Sequence, residues 1–488
     1  MNRPIHIHPN NSKCFEFRDK PISLITATEH YGAVINRPFR FEKYLNDAAE
    51  KAQTLTRLFI LFREQQHSHN PYSTCKPEST DYISPYPRTG PGKAIDGLPK
   101  YDLDQWNPEF FDRLHRFLSL ASERGIIVEV VILSNTYNDD IWMLNPLHPQ
   151  NNINHTEAIR YPEYLSMRHP NIFERQKALV RKIVEETHRY DNIFYEICNE
   201  PTGATPWVEN APTLEEVNEW LVALAEVIRE TEHSLPYKHL IAGQEAYRHD
   251  GYCQGLDASF SRMFFDVVNV HPLPNTQYQN VTYDLGGFMS KQLRLRALRD
   301  FCLATYHERK PLNCDEDNIA SRFRDYEGWT IHRKRAWTAL MCGAHYDYID
   351  FSIWPNLETG TPDSQRYIRT WMKHLSVFIH SLDLARATPL SDIIRRTPPN
   401  VLECVFAVPP HDYAVYLADE RELENPHAGE PIHGELEIEL PKDSYEVAAY
   451  SPETGLYSPA MPFSGGQAVA LTIPEFRHDI VLRFRKTK

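Results

Sequence analysis

The sequence predicts a (β/α)8 barrel followed by a small antiparallel β-sandwich. From residue 21 onward, short apolar runs typical of strands alternate with longer runs whose apolar residues recur every three or four positions. Eight strand-like runs precede residue 384, and eight is the number of strands in a closed barrel of this kind. Beyond residue 384 the pattern changes to short alternating runs separated by turn-forming clusters, which is typical of an antiparallel sandwich.

Each predicted element follows from its local pattern. Residues 5–20 read as a hairpin, because two short runs flank a Pro-Asn-Asn-Ser turn. The predicted barrel strands are residues 22–27, 55–62, 126–133, 193–198, 239–242, 267–270, 311–314 and 348–353. Predicted helices between them include residues 110–123, 176–188 and 214–231. The predicted sandwich strands are residues 401–406, 413–417, 434–440, 445–450, 468–473 and 480–484.

The length of the chain sets the domain prediction. A chain of 488 residues exceeds one average domain, but a (β/α)8 barrel alone takes roughly 200 to 400 residues. We therefore predict an N-terminal hairpin packed on the barrel over residues 1–20, a catalytic barrel over 21–384 and a β-sandwich over 385–488.

Charge, the first residues and the cysteines limit the partners and the location that the sequence predicts. The formal charge is −14 with no basic run, which argues against nucleic acid or an anionic membrane as a partner. The first residues lack the apolar core of a signal peptide, so the chain is expected to be cytoplasmic unless a leader has been removed. The eight cysteines are scattered without a Cys-x-x-Cys pair, which favours free buried thiols over a disulfide framework.

Two acidic segments stand where predicted strands end. Asn199-Glu200-Pro201 closes the fourth strand, and Asp315-Glu316-Asp317 follows the seventh. The carboxyl ends of barrel strands meet at the face that carries the chemistry. Cleavage of a glycosidic bond needs one carboxylic acid to protonate the departing oxygen and one carboxylate to attack or to activate water. Glu200 and Glu316 are therefore the candidate pair, with Asp315 and Asp317 as competitors of Glu316.

These residues resemble the clan of retaining glycoside hydrolases that includes the family 5 cellulases. The resemblance implies that Glu200 is the acid/base and Glu316 the nucleophile. It also places Arg57 beneath the nucleophile, His271 after the sixth strand and Trp354 at the end of the eighth. Segments such as Glu29-His-Tyr-Gly32 and Thr56-Arg-Leu-Phe59 are similar to a bacterial group of cellulase-like barrels that carry a C-terminal sandwich.

The resemblance implies further roles and shows one departure. Asn199 is expected to hold a sugar 2-hydroxyl, and His30 and Asn135 are expected to support substrate binding. Clan members commonly place a tyrosine shortly after the histidine of the sixth strand. Here Pro-Leu-Pro follows His271, and Tyr278 is the nearest tyrosine. The implied reaction uses a carbohydrate substrate and needs neither a cofactor nor a metal.

Each supporting residue also has a purely structural interpretation. Arg57 could be an ion-pair partner of Glu196, His30 could cap a loop, and Trp354 could fill the core. As a stacking platform, Trp354 would present its aromatic face to the C–H face of a sugar ring.

The sequence is also compatible with two other functional classes. His6-x-His8 and His67-x-His69 each place two imidazoles on one side of an extended chain, as a metal-dependent hydrolase would need. The third possibility is a barrel that binds carbohydrate without cleaving it.

Overall fold

The computed structural model describes residues 3–64, 75–248, 250–390 and 392–487. Eight parallel strands form one sheet in which the first strand pairs with the eighth and the remaining neighbours follow in descending order to the second. The barrel strands, in chain order, are Ile25–Thr28, Leu55–Leu61, Ile127–Ser134, Ile193–Asn199, Ile241–Gly243, Val267–Asn269, Leu312–Asp317 and His345–Ile349.

The sheet closes between its first and second strands, where the amide of Thr54 donates to the carbonyl of Ile25 over 3.0 Å. A helix follows every strand: Phe41–Glu50, Pro108–Glu123, Pro170–Thr187, Leu214–His233, Asp257–Ser261, Leu295–Thr305, Tyr326–Met341 and Ile368–Ile379. The strands are buried on both faces because helices cover the outside and side chains fill the inside. The chain therefore has the predicted (β/α)8 fold.

Helix boundaries follow from ordinary capping chemistry. Asn107 accepts a hydrogen bond from the amide of Glu109 at the start of the second barrel helix, which has Pro108 as its first residue. Thr213 and Glu216 form a reciprocal capping box at the start of the fourth. Shorter helical segments in the loops are Asp139–Trp142, Tyr161–Leu165 and Pro362–Arg366.

Most barrel strands begin and end within three residues of their predicted bounds, and two of the differences concern strands that contain charged residues. The eighth begins at His345, three residues before its predicted start, and ends at Ile349. The seventh extends through the acidic triplet to Asp317. Both contain buried charged residues, which a pattern of apolar residues does not include.

The predicted N-terminal hairpin is the start of a three-stranded antiparallel sheet, His6–His8, Asn11–Phe17 and Lys20–Ile22. Ile5, Phe15 and Phe17 pack against residues at the amino ends of the barrel strands, including Leu55, Ile127 and Val267. This sheet therefore covers the end of the barrel opposite to the carboxyl ends of the strands.

The loops at the carboxyl ends carry their own structure. Strands Arg88–Lys93 and Pro99–Tyr101 form a hairpin in the loop after the second barrel strand. A five-stranded sheet joins the loops after the fourth, fifth and sixth barrel strands: Thr202–Gly203, Tyr247–Arg248, Cys253–Gly255, Asn275–Tyr278 and Val281–Tyr283.

The C-terminal strands form the predicted antiparallel sandwich: Thr388–Pro389, Ile394–Arg396, Val401–Val408, Asp412–Asp419, Ile432–Tyr450, Met461–Phe476 and Asp479–Lys486. The two strands predicted over 434–440 and 445–450 are one strand, Ile432–Tyr450, with register shifts between Ile438 and Ser444. Such irregularities bend a strand, and this one pairs with different partners along its length around a common apolar core.

The seventh barrel helix, Tyr326–Met341, lies between the barrel and the sandwich and is buried on nearly every side. Arg335 pairs with Asp317 of the barrel over 2.6 Å, whereas Arg333 pairs with Asp479 of the sandwich over 2.8 Å. Two arginines of one helix thereby join the barrel and the sandwich. The boundaries at residues 20 and 384 remain predictions.

The eight cysteines all lie in the described part of the chain, and seven of them are buried. Within the described ranges, no helix combines the length and the apolar character that crossing a membrane requires.

Candidate active site

A cavity of about 660 Å³ lies at the carboxyl ends of the barrel strands. Loops from most of the strands contribute to it, as expected for the functional face of such a barrel. Its walls are mainly aromatic: Tyr31, Tyr137, Tyr161, Trp207, Tyr247, Phe288 and Phe351. Four carboxylates also line it: Glu64, Asp139, Glu200 and Glu316.

Glu200 follows the last residue of the fourth barrel strand and reaches the cavity with its side chain 18% exposed. Its backbone φ is +49°, in the left-handed region that glycine favours. Holding a glutamate there costs on the order of 1–3 kcal/mol, a cost that is typical of residues at functional sites. This turn of the backbone places Glu200 at the end of the strand while Asn199 stays inside the barrel.

Glu316 belongs to the seventh strand and is 3% exposed. Its Oε2 accepts a hydrogen bond from Nη1 of Arg57 over 2.6 Å, and its Oε1 lies 3.5 Å from the hydroxyl of Tyr31. Burial raises the pKa of Glu316, and the charges of His271 and Arg57 oppose that rise.

The acidic triplet resolves into three different environments. A register shift between Cys314 and Asp317 interrupts the alternation of the strand. Asp315 and Glu316 therefore both contact Arg57, whereas Asp317 faces Arg335 of the seventh helix. Glu316 is the member of the triplet that lines the cavity.

The two glutamates are close together. A carboxylate oxygen of Glu200, one of Glu316 and a ring nitrogen of His271 lie within 4.8 Å of one another. Retaining glycosidases hold their two carboxyl groups about 5–5.5 Å apart, whereas inverting enzymes leave roughly 6.5–9.5 Å for a water molecule. An oxygen–oxygen separation below 4.8 Å is compatible with the shorter of these two spacings.

Arg57 lies in the second strand, is 1% exposed, and contacts both Glu316 and Glu196. Besides Glu316, its Nη2 donates to Glu196 over 2.6 Å and to Asn199 Oδ1 over 3.1 Å. Glu129 and Asp315 lie 3.7 and 3.3 Å from the guanidinium. One buried arginine therefore lies against four carboxylates of the barrel interior and donates a hydrogen bond to one of them, Glu316.

His271 follows the sixth strand and connects the two glutamates. Its Nδ1 lies 2.9 Å from Oε1 of Glu200, and its Nε2 lies 3.8 Å from Oε2 of Glu316. The pKa of His271 is raised well above its usual range: burial opposes the proton, but Asp315 and Glu316 more than offset that effect.

Asn199 is fully buried and both atoms of its amide are engaged. Its Oδ1 accepts from Arg57, and its Nδ2 donates to the hydroxyl of Tyr137 over 2.8 Å. Tyr137 itself lines the cavity. The structure thus places Asn199 behind the cavity wall, next to the residues that touch the cavity.

His30 lines the cavity, whereas Asn135 lies behind the cavity lining. Asn135 is buried, and its Nδ2 donates to Thr202 Oγ1 over 2.7 Å and to the carbonyl of Glu200 over 3.2 Å, so it supports the turn that carries Glu200. His30 lines the cavity between the rings of Tyr31 and Phe351. Burial lowers the pKa of His30 to about 3, so this imidazole is neutral near pH 7.

Trp354 does not line the cavity. Its ring lies beside Arg324, whose guanidinium carbon is 5.5 Å from the ring centroid. Phe351 provides the aromatic surface from the end of the eighth strand instead. Because the strand ends at Ile349, Phe351 lies nearer to the strand end than Trp354 does.

Two cavity tyrosines that contact the candidate catalytic groups were not among the predicted site residues. Tyr31 follows His30 directly, in a left-handed conformation with φ +63°, and Tyr137 follows Asn135 by two residues. Tyr278, the nearest tyrosine to His271 in sequence, donates to Glu308 over 2.6 Å and does not line the cavity. A signal existed for Tyr31, because the segment that contains it carried part of the family resemblance.

The histidine pairs considered as metal ligands do not converge on this cavity within the described ranges. His6 and His8 belong to the N-terminal sheet, where they lie 3.2 and 3.5 Å from the carboxylate of Glu16. His67 and His69 lie outside the described residues.

Comparison of the sequence with known proteins gives two short matches. A family model described as a domain of unknown function, DUF6298, matches residues 79–227. An endoglucanase from Clostridium saccharobutylicum is 43% identical over 47 residues, which is 9% of this chain. The matched segment spans only 10% of the endoglucanase.

Comparison of the structure with solved structures extends over the whole chain. A family 5 glycoside hydrolase from Bacteroides vulgatus has a TM-score of 0.63 at 13% identity, covering 99% of this chain and 94% of that one. A second Bacteroides vulgatus structure, titled a putative glycoside hydrolase, has a TM-score of 0.62 at 14% identity, covering 99% of this chain and 82% of that one. The chain thus shares its fold with these two solved structures along nearly its full length.

Proposed function

We propose that this protein is a retaining glycoside hydrolase that cleaves O-glycosidic bonds of an oligo- or polysaccharide. The observation that carries the proposal is the pair Glu200 and Glu316, which face one cavity from the fourth and seventh strands with oxygens within 4.8 Å. The likeness to solved glycoside hydrolase structures supports the same activity class.

Glu316 is the proposed nucleophile. It must be ionised to attack the anomeric carbon, and Arg57 donates to it from 2.6 Å while its own burial would otherwise favour the protonated form. Attack forms a covalent glycosyl-enzyme. The hydroxyl of Tyr31, 3.5 Å from Oε1 of Glu316, is placed to stabilise the carboxylate that is released when this intermediate breaks down.

Glu200 is the proposed acid/base. It protonates the departing oxygen in the first step and takes a proton from the incoming water in the second. Of the two glutamates it is the more exposed, which suits a group that exchanges protons with leaving group and water. Asn199 and Arg57 act behind it by fixing the end of the strand.

The cavity walls fit a carbohydrate. Trp207 is 55% exposed and Phe288 is 40% exposed, and both line the cavity as open aromatic surfaces. Such surfaces pack against the C–H faces of sugar rings. Tyrosine hydroxyls and carboxylates supply hydrogen-bond partners for sugar hydroxyls. No step requires a cofactor.

A panel of aryl glycosides and polysaccharides, with the anomer of the product followed by proton NMR, tests the proposal. We expect a retained anomeric configuration. Glu316→Ala is expected to lower kcat by about 10⁴-fold or more, and Glu200→Gln by about 10²–10⁴-fold. Glu439→Gln, which removes an exposed carboxylate of the sandwich far from the cavity lining, is the control and should retain most of the activity.

Two results would contradict the proposal. One is turnover that survives both Glu200→Gln and Glu316→Ala. The other is an inverted product from the unsubstituted protein, which would reject the double displacement while leaving hydrolysis in place.

A further inference from the structure

Asp315 is a buried carboxylate that the proposed mechanism does not use. It is 0% exposed and lies directly before Glu316 in the seventh strand. Its Oδ2 lies 3.3 Å from Nη2 of Arg57 and 3.5 Å from Nε2 of His271. Burial works against its ionisation, but the charges of His271 and Arg57 outweigh burial and hold the pKa of Asp315 below its usual range.

The ring of His271 is thus held between two carboxylates on opposite nitrogens. Nδ1 faces Glu200 at 2.9 Å, and Nε2 faces Asp315 at 3.5 Å. The backbone of His271 is also fixed, because Gln254 donates to its carbonyl over 2.8 Å. A ring nitrogen faces a carboxylate favourably only when it carries a proton, so Asp315 selects the form of His271 with hydrogen on Nε2.

We propose that Asp315 is a positioning residue whose carboxylate, 3.5 Å from Nε2 of His271, favours a proton on that nitrogen, so that Nδ1 of His271 and Glu200 share one proton. This inference rests on the proposed function and concerns the supply of the proton that the leaving group receives.

The proton balance is simple. In the resting site the imidazolium of His271 donates from Nδ1 to the Glu200 carboxylate. As the glycosidic bond breaks, this proton passes to Oε1 of Glu200 and from there to the departing oxygen. His271 is left neutral with its hydrogen on Nε2, and Glu200 is again a carboxylate. In the second step, a proton from the attacking water returns to Glu200 and then to Nδ1.

Charges from several strands act on His271. The carboxylates outnumber the cations in its surroundings, which favours the protonated ring. Glu316 is nearer to Arg57, at 2.6 Å, than to His271, at 3.8 Å, so its main cationic partner is the arginine. The charged groups that face His271 are Glu196 and Glu200 from the fourth strand, Asp315 and Glu316 from the seventh, and Arg57 from the second.

The decisive measurement needs no substrate. In the protein labelled with ¹⁵N-histidine, the His271 signals are identified as those lost in His271→Gln. We expect either the imidazolium or the neutral form with hydrogen on Nε2 across pH 5–8. A neutral ring with hydrogen on Nδ1 and a bare Nε2 would overturn the proposal.

The pH dependence of kcat/KM provides a kinetic test, because a purely structural role of Asp315 would not change it. Removing the negative charge of Asp315 disfavours the proton on His271, so Asp315→Asn should move the alkaline limb of kcat/KM to lower pH by about 1–3 units. The control is Asp317→Asn, which removes an equally buried carboxylate bound to Arg335 and Tyr346 on the other face of the same strand. It should leave the limb in place.

An unchanged alkaline limb in a folded Asp315→Asn protein, with a uniform loss of rate, would also overturn the proposal. If that variant does not fold, the NMR measurement on the unsubstituted protein decides alone. Loss of the proposed hydrolase activity would be recognised separately, since the tautomer of His271 is read without turnover.

Discussion

Nη1 of Arg57 lies 2.6 Å from Oε2 of Glu316, although the two residues are 259 positions apart in the chain. The same guanidinium reaches Glu196 over 2.6 Å, so the candidate nucleophile is part of an ion-pair network that fills the barrel interior. The network couples the ionisation of Glu316 to the stability of the barrel, because neither charge can be removed without leaving its partner buried.

Arg57→Gln tests this coupling through pH. Arg57 opposes the effect of burial on Glu316, so without it the pKa of Glu316 should rise further. The nucleophile must be ionised, and the acidic limb of kcat/KM should therefore move to higher pH. Arg57→Lys keeps a charge and should move it less. An acidic limb that stays in place in Arg57→Gln would contradict the assignment of Glu316 as nucleophile.

Tyr31→Phe tests the contact with the other oxygen of Glu316. The hydroxyl lies 3.5 Å from Oε1, while the ring packs on Phe59 with centroids 4.1 Å apart. Because the ring is retained, the free energy of unfolding should change by less than about 1 kcal/mol, while kcat falls by about 10-fold or more. Tyr278→Phe, outside the cavity, is the matched control for steady-state kinetics.

Arg333 and Asp479 join the seventh helix to the sandwich and are each about 1% exposed. Asp479→Ala leaves an uncompensated buried charge and should cost about 3–5 kcal/mol of unfolding free energy. The exposed pair Arg395 and Glu439 is the control, and Glu439→Ala should cost less than about 1 kcal/mol. Urea titrations measure both. Equal costs at the two sites would show that the interface pair has no special role in stability.

His345 predicts a stability change with pH. It is buried and its Nδ1 accepts from the amide of Leu24 over 3.0 Å, and burial lowers its pKa to about 3. The unfolded chain binds a proton at this histidine below about pH 6.5 whereas the folded protein does not, so stability is lost as pH falls through that value.

Between pH 7 and pH 4.5 this one group should account for about 2–3 kcal/mol of lost unfolding free energy. His345→Gln should flatten the pH dependence by that amount in urea titrations. His307→Gln, whose side chain is 59% exposed, serves as the control. An identical pH dependence in both variants would reject the role of His345.

Several features could be predicted from the chain because they depend on local pattern. Apolar runs predicted the barrel strands. Glu200 could be identified as a candidate site residue because an apolar strand leads directly to Asn-Glu-Pro. The eighth strand was displaced in the prediction because His345 and Asp347 lie inside the barrel, and a hydropathy pattern interprets such residues as loop. The prediction of Trp354 instead of Phe351 has the same cause. The two residues are three positions apart, so an error in the end of the eighth strand changes which ring is expected to face the cavity.

Local patterns in the sequence were enough to predict the barrel, the sandwich and the two glutamates as a candidate pair, because periodicity and strand ends are properties of neighbouring residues. The folded chain was needed to show which acid of the triplet lines the cavity, that Asn199 lies behind the cavity wall, and that Tyr31 and Phe351 form part of that wall. These facts depend on a register shift in the seventh strand and on contacts between residues far apart in the chain, such as Arg57 with Glu316. The ionisation of the cavity residues depends on their burial and on their distances from other charges, and neither can be read from a short segment of sequence.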